Sequence, residues 1–294
     1  MSRAVLVDTT KCTGCRGCQV ACKRANGNEA ETTAFYGAGG GYLNPPRLSS
    51  KTFSLVTFNE VEPSPGQLKW VFARRQCMHC IEPSCVSACI VGALKKDADG
   101  ATVYDEKKCI GCRYCMLACP FNVPTLEWEK PVALIRKCSF CSESINTESV
   151  TEINGKTLDN DGKARMRSAQ ATPACVLACS TGALLHGQRD ELLSIAHSRI
   201  RENPKRYVNH VYGENEVGGT GWLYLSAVPF EQIGFRTDLG VRPYPSYTSA
   251  VNQAVAPVVL ATGATLGGLY WFINRRNQIA QEQAEQAKQA EESK

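Results

Sequence analysis

The chain has 294 residues, 43% of them hydrophobic and 21% charged, with 33 Lys and Arg against 28 Asp and Glu. That composition excludes disorder over most of the length, and 24 Gly and 14 Pro without a period exclude a collagen-like or low-complexity chain. There are also 16 cysteines, yet a chain of about two domains buries a core without eight disulfides, so the thiols are there to bind something.

The N-terminus, MSRAVLVDTTKC, is too short and polar for a secretory signal, and no twin-arginine pair precedes an apolar stretch. The first cysteine group follows at once: Cys12, Cys15, Cys18 and Cys22, spaced x2, x2, x3. GAGGGYLNPP (37–46) has the residues of a loop without the spacing of a phosphate-binding one. TFSLVTFNEV (52–61), PSPG (63–66) and QLKWVFAR (67–74) predict strand, turn, strand. This hairpin delivers the chain to the second group, Cys77, Cys80, Cys85 and Cys89. The third group, Cys109, Cys112, Cys115 and Cys119, repeats the first spacing and is followed by Pro120. The fourth is split, with Cys138 and Cys141 before a polar insertion (142–174) and Cys175 and Cys179 after it. Asn154-Gly155 predicts a hairpin turn inside that insertion.

Residues 189–202 predict a packing helix with Leu192, Leu193, Ile195, Ala196 and Ile200 on one side. His186, His197 and His210 carry no metal-ligand spacing. From Ala254 to Ile273 there are 20 residues without a charge, about 30 Å of helix or one hydrocarbon core. Tyr270, Trp271 and Phe272 fit an interfacial belt, and Arg275 and Arg276 follow. A transmembrane helix at 251–274 and a polar tail at 275–294 are therefore expected, rather than a buried core helix. Gly263-x3-Gly267 and Ala264-x3-Gly268 form a small-residue face that suits a partner helix. Two basic residues before the span (Arg236, Arg242) against three after it (Arg275, Arg276, Lys288) favour a cytoplasmic tail and an outside cysteine region. If the large domain lies on that side, it is exported with a partner that carries the signal; otherwise it faces the cytoplasm.

The cysteine groups are internal repeats. KCTGCRGCQVAC (11–22) matches KCIGCRYCMLAC (108–119), CVSACIVGAL (85–94) matches CVLACSTGAL (175–184), and CMHC (77–80) pairs with CSFC (138–141). Each unit is expected to supply three ligands in a loop and a fourth at the start of a following helix. Three such thiolates wrap one iron–sulfur cube, and the fourth ligates the other cube of a pair, as in two-cluster ferredoxins. Repeat symmetry then predicts an inner pair, Cys77, Cys80, Cys85 with Cys119 and Cys109, Cys112, Cys115 with Cys89. The outer pair is Cys12, Cys15, Cys18 with Cys179 and Cys138, Cys141, Cys175 with Cys22. The expected class is α+β: two pseudo-symmetric two-cluster ferredoxin-like modules within 1–247, the outer from 1–30 with 136–205 and the inner from 75–135, plus one C-terminal transmembrane helix.

Zinc also takes C-x2-C pairs, but normally across long spacers, whereas four cysteines here fall within eleven residues twice. Disulfides cannot satisfy three partners in a C-x2-C-x2-C loop. Four cubes at roughly −2 each would bring the formal +5 to about −3, so the basic balance is no sign of nucleic-acid binding. Lys11, Arg16, Lys23, Arg24, Lys108, Arg113, Arg136 and Lys137 cluster beside the thiols, where positive charge favours thiolate and raises a cube's potential; a solvated basic face explains each one singly as well. His79, between two ligands, is expected beside the clusters or facing a partner. With every position filled by Cys and no nucleophile constellation or cofactor fingerprint, the residues describe a four-cluster electron wire without a substrate site.

The chain resembles the beta, iron–sulfur subunit of membrane-bound formate dehydrogenases, within the four-cluster ferredoxin subunits of molybdopterin oxidoreductases. The resemblance rests on VDTTKCTGCRGCQVAC, NPPRLSSKTFSLVTFNEVE, QCMHCIEPSC, CIGCRYCMLACPFNVP and the terminal helix. QCMHC, KCIGCRYCMLACPFNVP and VYGENEVGGTGWLYLSAVPFE (211–231) also look like the membrane-anchored iron–sulfur subunit of a periplasmic nickel–iron hydrogenase. The resemblance implies four [4Fe-4S] clusters, with Cys112 standing where some relatives have Trp and a three-iron cluster. It implies electrons from a molybdenum or tungsten catalytic subunit oxidising formate, through Cys12/Cys15/Cys18/Cys179, Cys22/Cys138/Cys141/Cys175, Cys77/Cys80/Cys85/Cys119 and Cys109/Cys112/Cys115/Cys89. The implied acceptor is a membrane cytochrome b or quinone-reactive subunit. Ile90 and Ser180 depart from the Pro that many ferredoxins place after the last cysteine. A nickel–iron hydrogenase or other molybdopterin reductase subunit, and a zinc-stabilised membrane adaptor, are the alternatives.

Overall fold

The computed structural model describes residues 2–33, 43–64, 66–142, 150–153, 156–159 and 172–292. In chain order these form β1 (Arg3–Asp8), α1 (Gly17–Asn26), β2 (Ser54–Ser64), β3 (Gln67–Gln76), α2 (Ser84–Ser87), β4 (Leu94–Lys96), β5 (Thr102–Tyr104) and α3 (Tyr114–Ala118). Then come β6 (Thr125–Leu126), β7 (Ile135–Arg136), β8 (Val150–Ile153), β9 (Lys156–Asp159), α4 (Ala174–Leu177), β10 (Leu184–Gln188), α5 (Arg189–Glu202), β11 (Trp222–Leu225) and α6 (Pro245–Glu292). Helix and strand are mixed, as the α+β expectation requires. The chain divides into two units, Met1–Pro245 and Ser246–Lys294.

The first unit is built on β1. It is buried along its whole length because both faces are covered and both edges paired, antiparallel to β10 and parallel to β11. Strand alternation sends Val5 and Val7 into one core with Trp222, Tyr224, Leu184 and Phe140, and Ala4 and Leu6 into the other with Leu223 and Leu225. α5 closes the second core through Leu192, Ala196 and Ile200, the predicted packing helix at its predicted limits. Ile195, expected on that side, stands 37% exposed, since it lies about 100° round the helix from its neighbour Ala196.

The predicted hairpin is present as β2–β3, in register from Ser54↔Gln76 to Val61↔Lys69. Cross-strand aromatics secure it, Phe58 lying 4.9 Å from Phe72 and 5.8 Å from Trp70 between ring centroids. β8 and β9 pair from Val150↔Asp159 to Ile153↔Lys156, while the Asn154-Gly155 turn between them and residues 37–42 of the glycine-rich segment lie outside the described residues.

The internal repeat is carried into the fold. In the inner module α2 packs on α3 beside the β4–β5 pair; in the outer, α1 packs on α4 beside the β1–β10 pair. Pro83 precedes α2 and Pro173 precedes α4, each fixing the extended entrance to a short helix, and Gly92 and Gly182 turn the chain after it at φ 63°. α6 runs 48 residues, about 72 Å. It is the one helix among the described residues long and apolar enough to cross a membrane, and it continues through the expected span limits at 251 and 274 without a break.

Candidate metal centres

The two C-x2-C-x2-C loops share one construction. Asp8 accepts a hydrogen bond from the Thr10 N–H (3.1 Å) and Asp105 from the Lys107 N–H (3.1 Å), capping a single 3-10 turn that ends at Cys12 and Cys109. Gly14 and Gly111 then take φ +69° and +68°, and Arg16 and Arg113 φ 59° and 66°, which curls the loop before the helix. A Cβ on Gly111 would lie 2.7 Å from the Ala133 carbonyl oxygen, so only glycine fits there.

The helix begins at the third cysteine, not at the fourth. Cys18 and Cys115 are the second residues of α1 and α3, while Cys22 lies inside α1 and Cys119 just past α3. The physical reason is spacing: thiols at i and i+4 lie on one helical face a turn apart, so one short helix presents both.

Folding gathers the thiols into four sets. Burial pushes Cys12 up against a hydrogen bond from the Gly14 backbone, and Cys18, Cys179 and Cys15 push it further; these four are numbered set 1. Cys175 is pushed up to about 12 by burial, with Cys141 and Cys22 beside it and Arg74 opposing; with Cys138 these make set 2. Cys80 is held well above the usual thiol range by burial and by Cys77, Cys119 and Cys85, set 3. Burial and Cys109, Cys112 and Cys89 push Cys115 up to about 11, set 4. The thiols of set 3 line one cavity of about 20 Å³ and those of set 4 another of about 20 Å³.

Charge also reaches from set to set and orders them. Cys175 of set 2 feels Cys18 of set 1, Cys138 of set 2 feels Cys77 of set 3, and Cys85 of set 3 feels Cys115 of set 4. Set 1 contains the exposed Cys15 and no buried thiol, whereas Cys22, Cys138 and Cys175 of set 2 and Cys77 and Cys85 of set 3 are buried.

The donor chemistry fits an iron–sulfur group. All 16 thiols are free, and burial holds at least one thiol of each set above its usual range, so four thiolates share such a site only around a cationic core that replaces their protons. Sulfurs on one zinc ion stand about 4 Å apart, given Zn–S of about 2.3 Å. Among the described residues no three His, Cys, Asp or Glu side chains converge to hold a single metal ion. Backbone N–H groups point at sulfur as well: Ala93 to Cys89 (3.2 Å), Phe140 to Cys138 (3.4 Å) and Gly111 to Cys109 (3.5 Å). Cys109 is held below the usual range even though burial raises it, because the Tyr104 hydroxyl, the Gly111 and Ile135 backbone and Arg136 outweigh that effect.

Several bases singled out in the sequence are paired with carboxylates: Lys23 with Glu31 (3.1 Å), Lys108 with Asp105 (3.3 Å), and Arg136 with Glu106 (2.9 Å) and Glu127 (3.1 Å). Lys137 is buried, with its ammonium on the Thr102 and Cys138 carbonyls. Sequence reasoning missed Arg3, Arg74 and Lys96. Arg74 is 2% exposed and the Lys96 ammonium donates to the His79 (3.2 Å), Cys80 (2.6 Å) and Gly100 (2.6 Å) carbonyls. The available signal was an arginine in the Phe72 register of a strand, three residues before a ligand group. His79 faces no partner surface: it is 1% exposed, accepts from the Thr102 N–H (2.9 Å) at Nδ1 and lies 4.7 Å from the Phe140 ring at the matching position of the other repeat. Burial keeps it neutral by pushing its pKa well down.

Comparison with known proteins follows the same lines. The chain matches a 4Fe-4S dicluster domain over residues 11–93 and another 4Fe-4S dicluster domain over 68–157. A protein of Nitratidesulfovibrio vulgaris is 41% identical over 291 residues, 98% of this chain and 72% of that protein. The hydrogenase-2 operon protein HybA of Escherichia coli O157:H7 is 32% identical over 258 residues, 79% of this chain and 72% of HybA. The iron–sulfur subunit of the nitrate-inducible formate dehydrogenase of Escherichia coli K12 is 34% identical over 225 residues, 76% of this chain and 67% of that subunit.

Proposed function

This chain belongs to the family of 4Fe-4S iron–sulfur electron-transfer subunits of formate dehydrogenase and hydrogenase complexes, and from that premise we propose that its 16 cysteines hold four [4Fe-4S] clusters, one in each set, between a molybdenum or tungsten catalytic subunit and a membrane cytochrome b or quinone-reactive subunit. Clusters bound there supply one-electron transfer, and full cysteine ligation leaves them no open iron for substrate. The chain's own residues supply a low-dielectric housing, N–H donors and cations that favour the reduced state, and a fixed order.

The observation that carries this reading is the linear order of the sets, with an exposed thiol at one end and the deepest burial in the middle. A wire needs open ends and a dry interior. Exposed apolar side chains flank both ends, Val20 and Leu177 near set 1 and Ile110, Tyr114 and Leu117 near set 4, as docking partners require. The proposed division follows: an outer pair (sets 1 and 2) from 1–30 with 136–205 and an inner pair (sets 3 and 4) from 75–135, with residues 251–274 crossing the bilayer, the clusters outside and the tail in the cytoplasm.

The hydrogenase reading stands second, supported by a HybA match that runs over 258 residues against 225 for the formate dehydrogenase subunit. Metal analysis of the detergent-extracted native complex separates the two. At least about sixteen irons per chain, any haem iron of the partners adding to that, with molybdenum or tungsten and no nickel is the expected result. Nickel without either metal assigns the chain to a hydrogenase, and zinc without iron removes the electron-transfer reading altogether.

A further inference from the structure

Arg74 is the penultimate described residue but one of β3, buried against the ring of Trp222 with its guanidinium carbon 4.5 Å from the ring centroid. No oxygen or nitrogen acceptor takes up Nε, Nη1 or Nη2, the guanidinium reaches the Cys18 thiol as its side-chain hydrogen-bond partner, and among the described residues no carboxylate pairs with it. An unpaired charge in such a place is strongly disfavoured unless something on the spot needs it. The buried Lys137 and the half-buried Lys96 near set 3 differ, since carbonyl oxygens take up both ammonium groups. The Trp222 ring under Arg74 shares one buried cluster with Cys175 of set 2, and Cys18 of set 1 packs against that cluster; Cys22 and Cys138 of set 2 also lie within electrostatic reach of the guanidinium. A guanidinium presents five donors in a plane and keeps its charge at every working pH, so it suits a fixed countercharge.

We propose that Arg74 is the shared countercharge of sets 1 and 2, a positioning residue that raises the reduction potential of both clusters and thereby biases the electron toward that half of the wire. This rests on the assignment of the cysteines to four cluster sets. The step is the addition of one electron from the redox partner to an oxidised [4Fe-4S] centre; no bond forms or breaks and no proton moves. Each reduction takes a four-thiolate cube from about −2 to about −3, and a fixed positive charge beside it stabilises the more negative state. Because the same cation serves two clusters, reducing one of them reduces its benefit to the other.

The test is an EPR-monitored redox titration of the native complex carrying Arg74→Gln or Arg74→Lys. The wild-type complex comes first: iron well below sixteen per chain, or fewer than four redox-active centres, overturns the cluster assignment itself. With that assignment intact, Arg74→Gln is expected to keep its iron and lower the midpoint potentials of two of the four clusters, leaving the other two in place. Arg74→Lys, which keeps the charge, restores most of the shift. Four unchanged potentials in Arg74→Gln, or an equal fall in both variants, overturns the proposal, the second outcome because packing and not charge is then responsible. Should Arg74→Gln lose iron, pulsed EPR of complexes labelled with 15N-arginine carries the test. A nitrogen coupling on two reduced clusters that disappears in Arg74→Lys supports it, and identical spectra of the two labelled complexes overturn it.

Discussion

Asp8 has no exposed surface and accepts from four donors: the Thr10 N–H (3.1 Å) and hydroxyl (2.6 Å), the Arg199 guanidinium (3.0 Å) and the Tyr207 hydroxyl (2.9 Å). It ties α5 to the turn that leads into Cys12. Asp8→Ala leaves a partly buried arginine and two hydroxyls unmatched, and is expected to cost about 3 kcal/mol, read as a lower denaturation midpoint with set 1 losing iron first. His210 shows a gentler residue-level effect. Its Nε2 lies 2.8 Å from Glu216, which lifts the imidazole above its usual 6.5 despite partial burial. Burial works to raise Glu216, but His210 and backbone N–H groups hold it below its usual 4.5. The histidine contribution is complete below pH 6.5 and is lost as pH rises through the raised value, and the glutamate contribution is complete above 4.5 and is lost as pH falls through the lowered one. Thermal melts between pH 6 and pH 8 should therefore fall with rising pH in the wild type and flatten in His210→Gln, by less than about 1 kcal/mol because the ring is partly solvated.

At the scale of elements, the repeated loops rest on backbone conformations that few residues adopt. Gly14, Gly92 and Gly111 all have φ between +63° and +69°, yet their surroundings differ. An added Cβ meets nothing within 4 Å at Gly92, the Phe72 ring at 2.7 Å at Gly14, and the Ala133 carbonyl oxygen at 2.7 Å at Gly111. Gly92→Ala should cost only the strain of positive φ, about 1 kcal/mol. At Gly14 a ring can shift in part, but at Gly111 the β6–β7 connection would have to move. Gly111→Ala is therefore expected to cost about 2–3 kcal/mol and to empty set 4 selectively, taking iron from about sixteen to about twelve per chain. An unchanged iron count would remove set 4 from that loop.

For the whole molecule, burial and charge together divide the labour among regions. Met1–Pro245 holds every cysteine and the buried cores, and in the second unit the described residues, to Glu292, belong to α6 and have exposed side chains throughout. Val258, Val259, Leu260, Leu266 and Leu269 stand open along it, an apolar surface that water does not favour. A chain ending at Pro245 is expected to keep about sixteen irons and to partition into the aqueous phase without detergent, while the full chain stays in the detergent phase. Equal partitioning of both would show that something other than this helix holds the protein at the membrane.

Much of this was legible in the sequence because it is local. The x2 and x3 spacings state which three thiols share a loop, the alternation in 52–74 states a hairpin, and 20 uncharged residues state an apolar helix, each through the period of one stretch of chain. What lay beyond it was whatever requires two distant stretches to meet. Cys179 reaches Cys12 only because β10 pairs with β1 and α4 packs on α1, a closure that internal symmetry could suggest but spacing could not specify. The helix that already holds Cys18 in its first turn, the burial of His79 against Phe140, and Arg74 turned inward beside two thiol sets were decided by packing, since a charged or polar residue in an apolar strand register reads the same whether its face meets water or a cluster.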